Sequence, residues 1–98
     1  MFKNVAGQKV AVYAFGTVAG VGKSGDAANI TARITKDGGA SAATNDANPT
    51  EIDATFMPGL YLFDMTQAET NADLVIVHPL TVTADIQIEP IFIYTRAP

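Results

Sequence analysis

The chain has 98 residues, 48% of them apolar and only 16% charged, with a net charge of −4. That is one domain, residues 1–98, with a modest core, and its charge content lies below the roughly 25% of an ordinary globular protein, as expected where neighbours cover part of the surface or where a small monomer is rich in Ala and Thr. Its cations, Lys3, Lys9, Lys23, Arg33, Lys36 and Arg96, are scattered singly, leaving nucleic acid and anionic membranes without a basic patch. The absence of cysteine excludes disulfides, thiolate metal sites and a Cys nucleophile.

Met1–Gly7 lacks the apolar core of a signal peptide, and no apolar run approaches the roughly 20 residues that span a bilayer. Residues 1–8 read as a short arm. Lys9–Phe15 is the first strand, with Val10 and Val12 on one face and Tyr13 and Phe15 on the other, so both faces invite cover. Gly16–Ala27 reads as a loop. Asn29–Thr35 alternates cleanly and turns Ile30, Ala32 and Ile34 inward. Lys36-Asp37-Gly38-Gly39 is a hairpin signal, because tight primed turns need positive φ. Ala40–Thr44 is a weak return strand.

Glu51–Phe56 alternates again, which predicts Ile52, Ala54 and Phe56 inward and a turn at Met57-Pro58-Gly59. Leu60–Met65 is the next strand. Thr66-Gln67-Ala68-Glu69 matches a capping box, Thr at the N-cap and Glu three residues on, and opens a helical turn near 67–72. Leu74–Val77 reads as a central strand, with His78-Pro79 at its end. From Ala84 to Thr95 the alternation changes parity between Ile88 and Ile91. Pro90 sits at the break, so the chain bends there or passes between sheets. Residues 95–98 form a tail. Six or seven short strands at this spacing predict an all-β antiparallel sandwich or small barrel.

Residues able to carry chemistry are sparse. Gly22-Lys23-Ser24 misses the phosphate-loop spacing by one residue and precedes a strand pattern where a helix is needed. His78 is the only histidine, and no partner for it is evident. Asn45, Asp46, Asn48 and Glu51 offer oxygens that calcium accepts, but lack the ligand spacing, and Asx turns explain them more simply. No nucleophile–base pair can be named; the expectation is a non-enzymatic protein without cofactor or metal.

The runs Gly25–Ala32, Lys36–Gly39, Asn48–Glu51, Gly59–Asp64 and Thr66–Asp73 together resemble small structural proteins of tailed bacteriophages. They are similar, more loosely, to the N-terminal Ig-like domain of phage upper-baseplate proteins. The resemblance implies an Ig-like sandwich and a virion protein made in the host bacterial cytoplasm. It implies a capsid decoration or cement subunit in many copies, or a tail, neck or baseplate adaptor. Its partners would be other virion proteins and further copies of itself, with neither nucleic acid nor membrane. A carbohydrate- or receptor-binding module is a further reading, with most of the aromatics expected in the core. Candidate assembly contacts are Val10, Val12, Tyr13, Phe15, Ile91, Ile93, Tyr94 and Arg96; Thr66 and Glu69 are the structural cap.

Overall fold

The computed structural model describes every residue from Met1 to Pro98. In chain order it holds β1 (Gln8–Gly16), a 3-10 turn (Ala27–Asn29), β2 (Ile30–Lys36), β3 (Ala42–Ala43), β4 (Thr50–Asp53), β5 (Met57–Met65), α1 (Gln67–Thr70), β6 (Leu74–Thr81), β7 (Ile86–Ile88) and β8 (Ile91–Tyr94). The strands form two antiparallel four-stranded sheets, ordered β4-β5-β1-β7 and β3-β2-β6-β8. This is a β-sandwich in which β1, β2, β3, β4, β5, β6 and β8 take the places of Ig strands B, C, C′, D, E, F and G. The place of strand A, beside β1, is taken by β7, which arrives late in the chain.

The core follows from alternation on facing strands. Val10, Val12 and Ala14 of β1 and Tyr61, Phe63 and Met65 of β5 meet Ile30, Ala32 and Ile34 of β2 and Val75 and Val77 of β6, all buried. Each such large apolar side chain contributes about 1.5–3 kcal/mol by leaving water. The β2–β3 hairpin turns as its Asp-Gly pair requires, with Asp37 and Gly38 at φ 53° and 75° and the Gly39 N–H donating to Lys36 O.

The crossing from the first sheet to the second is the segment between β5 and β6. The Thr66 hydroxyl accepts from the Glu69 N–H at 3.2 Å, and the Glu69 carboxylate accepts from the Thr66 N–H at 2.9 Å. This closes the capping box that the sequence predicts. The other Glu69 oxygen accepts from the Asn45 N–H, so the cap also holds the loop after β3.

Three local readings are corrected. Ile52, Ala54 and Phe56 are exposed, because pairing sets Glu51, not Ile52, opposite the inward Tyr61. The reversal comes earlier than Met57-Pro58-Gly59: the Asp53 carboxylate accepts from the N–H groups of Thr55 and Phe56, an Asx-type turn that leaves Met57–Gly59 inside β5. His78 and Pro79 are not a strand end, for β6 runs on to Thr81. Pro79 lacks an N–H, and in this register its nitrogen points toward β8, whose pairing stops at Val77; the ladder loses nothing there. The predicted last strand divides at Pro90, with β7 in the first sheet and β8 in the second.

Candidate assembly surfaces

Of the predicted contacts, Val10 and Val12 point into the core and are almost fully buried, so neither lies on the outer face of the sheet. Tyr13 and Phe15 lie on the outer face of β1, where their rings stack at 5.8 Å. Leu60 and Leu62 of β5 and Ala11 of β1 extend the same apolar face. Tyr94 lies on the outer face of the second sheet. There Phe92 pairs with Ile76, and Tyr94 with Leu74. Ile91 and Ile93 are half-buried at the sandwich margin. Arg96 is engaged within the chain: its guanidinium lies 5.2 Å from the centre of the Phe2 ring, and its N–H donates to Met1 O.

A third surface was missed from sequence. The loops after β1, between β4 and β5, and after β6 meet at one end of the sandwich. Val18, Phe56 and Val82 stand there 82%, 84% and 85% exposed, with Val21 beside them. The only sequence signal for Phe56 was Asp53, whose capping of Thr55 and Phe56 puts that ring on a turn.

The same end is held by a buried polar node. Asp26, 1% exposed, accepts from the Thr81 hydroxyl at 2.7 Å, the Thr83 hydroxyl at 2.5 Å and the Asn29 amide at 3.0 Å. Burial alone would raise its pKa. The bonds from Thr83, Asn29 and Thr81, with the charge of Lys23, outweigh burial and hold the carboxyl below its ordinary 3.8. The Asp26 N–H donates to the Tyr61 hydroxyl, which donates in turn to Lys23 O at 2.6 Å. Burial, with the charges of Glu51 and Asp26, pushes the Tyr61 phenol above its ordinary 10.0, against the opposing bond from the Asp26 N–H.

Backbone approach fixes the loop further. A Cβ on Gly22 would sit 2.0 Å from Pro58 O, and one on Gly59, at φ 94°, would sit 2.5 Å from Ala14 O. The Lys23 N–H donates to Ala14 O, so the Gly22-Lys23-Ser24 backbone serves the sandwich edge and is not arranged around an anion.

The calcium-like oxygens do not converge. Asp46 accepts from the Asp64 N–H, Asn48 donates to Ile30 O and Glu51 accepts from the Gly25 N–H. No group of three or more His, Asp or Glu side chains is placed to share a metal. His78 stands exposed on β6 opposite Arg33. No helix is long and apolar enough to cross a membrane.

The arm is not free. Thr70, fully buried, accepts from the Val5 N–H at 3.0 Å. Gln8 clamps Phe2 through both its N–H and its carbonyl, and Lys3 pairs with Asp73 at 2.9 Å. No protein-family model, curated protein or solved structure matches the chain.

Proposed function

We propose that this domain is a non-enzymatic structural protein of a bacteriophage virion, assembled in multiple copies as a capsid decoration, cement or accessory subunit. The observation that carries the assembly reading is the distribution of apolar surface. Eleven large hydrophobic side chains are exposed, among them Tyr13 on one sheet, Phe92 and Tyr94 on the other, and Val18, Phe56 and Val82 at one end. Apolar surface on several sides suits a subunit with several neighbours. The virion setting comes from the motif resemblance, and the partners are other virion proteins and further copies of the chain.

A sugar-binding reading has less support. Of the eight aromatics only Tyr61 and Phe63 are buried, which corrects the expectation that most fill the core. The exposed ones, however, line no cavity.

Electron cryomicroscopy of particles, with copy counting by quantitative mass spectrometry, tests the proposal. Hundreds of copies over the shell support decoration or cement. A few dozen or fewer, in a ring at neck or baseplate, support the tail adaptor instead. Absence from particles overturns the virion role.

A further inference from the structure

β1 is flanked on both sides only near its end. On one side it pairs with β5 from Gln8 to Tyr13. On the other, β7 reaches Ala14, Phe15 and Gly16 and stops, because the chain leaves the first sheet at Glu89-Pro90. The Thr17 N–H donates to Asp85 O in line with β7, whereas the Gly16 N–H donates to Val21 O on the opposite side. In an antiparallel ladder successive peptide groups alternate sides. Those of Lys9 and Ala11 therefore point to the side that β7 has left.

Behind this open edge lies a cavity of about 290 Å³, between β1 and the β8 margin of the other sheet. Met1, Val10, Ala11, Ile91 and Ile93 supply its apolar lining, and Gln8 and Lys9 complete it. Typical small-molecule sites measure about 300–1,000 Å³ and carry a few convergent polar groups; this one sits at the lower limit, and the side chains of its two polar residues are engaged within the chain, Gln8 with Phe2 and Val5 and Lys9 with Asp64.

We propose that the gap is an acceptor slot for an extended segment of a different polypeptide chain, added beside Gln8–Val12 in line with β7. The free donors and acceptors of Lys9 and Ala11 match a strand. The aliphatic floor calls for apolar side chains at every second position of that strand. A second copy's arm is not free to enter, because it is tied to Thr70, Arg96 and Asp73, and each of its strands is already held in a sheet on at least one side. The inference rests on the assembly reading and names the kind of partner that reading needs.

The test screens a random library of short linear peptides against the whole domain and follows amide exchange by NMR. In the free domain the Lys9 and Ala11 amides exchange fast, while those of Val10 and Val12, turned toward β5, are protected. Recovered peptides carry apolar residues at alternate positions and slow exchange at Lys9 and Ala11. Ala11→Pro removes an N–H that β5 does not use and weakens such a peptide by about tenfold or more. Protection of Lys9 and Ala11 in the free domain overturns the proposal, as does recovery of no peptide or of peptides that protect other residues. The exchange comparison needs no variant, so it stands even if Ala11→Pro fails to fold. Peptides that fill the slot in a chain absent from particles would sink the virion role and leave the slot in place.

Discussion

Replacing Asp26 by alanine removes the acceptor of three side-chain hydrogen bonds, from Thr81, Thr83 and Asn29. Bonds to a charged group contribute about 1.5–3 kcal/mol each. The three share one carboxylate, and its desolvation offsets part of their sum, so the expected loss is about 3–4 kcal/mol. In a chain of this size that lowers the melting temperature by roughly 12–25 °C. Asp26→Asn keeps the shape and one good acceptor, and the hydroxyls can rotate, so about 1–2 kcal/mol is expected. The pH dependence separates the charge from the shape. The fold holds this carboxyl below 3.8, so the ionised form is favoured in the native state. That contribution is complete above about pH 5 and fades as pH falls through the folded-state pKa. Urea unfolding of wild type, Asp26→Ala and Asp26→Asn between pH 7 and pH 2.5 reads all of this. A loss below about 1 kcal/mol for Asp26→Ala at pH 7 would refute the node as a main support. So would a gap between wild type and Asp26→Asn that does not narrow in acid.

Gly22→Ala sets a methyl group against Pro58 O and should cost about 1–3 kcal/mol, seen as a lower urea midpoint with faster amide exchange along the loop after β1. Thr66→Ala opens the capping box and should cost about 1 kcal/mol; an unchanged midpoint would show that the crossing is held by its strands alone. Deleting Met1–Gly7 leaves the buried Thr70 hydroxyl without Val5 and should destabilise the domain by about 1–3 kcal/mol. Such a truncation therefore perturbs the fold as well as any contact. Phe92→Ser and Tyr94→Ser change exposed positions and should leave the isolated domain within about 0.5 kcal/mol of wild type while lowering incorporation into particles.

Strands with a clean period of two were legible. Ile30, Ala32 and Ile34 all face the core, and the parity change around Pro90 marked a bend or a passage between sheets, of which the fold has the passage. The errors arose where a distant partner overrode a local signal. Pro79 read as a stop because proline removes a ladder hydrogen bond, yet β8 ends before that bond would be needed. Pro58-Gly59 read as a turn because both residues favour one, but the carboxylate of Asp53 reverses the chain first. Ile52 read as core because its run alternates, but register against β5 is set across the hairpin. The candidate contacts divided for the same reason: two apolar faces on β1 were evident, and which one faced the core was decided by pairing with β5. The open side of β1 was invisible in sequence, since it depends on how far a strand more than seventy residues later reaches.

The late place of β6 and β8 in the chain has a consequence for biosynthesis. Until Leu74 has been made, β2 has only the two-residue β3 beside it, and half of the second sheet is missing. β1 and β5 can pair earlier, but their inner faces have nothing complete to close on. Pairings so distant in sequence are slow to form. The valines and isoleucines on the inner faces of β1 and β2 therefore stay uncovered until β6 has been made, and the second sheet is complete only when the strand ending at Tyr94 lies down.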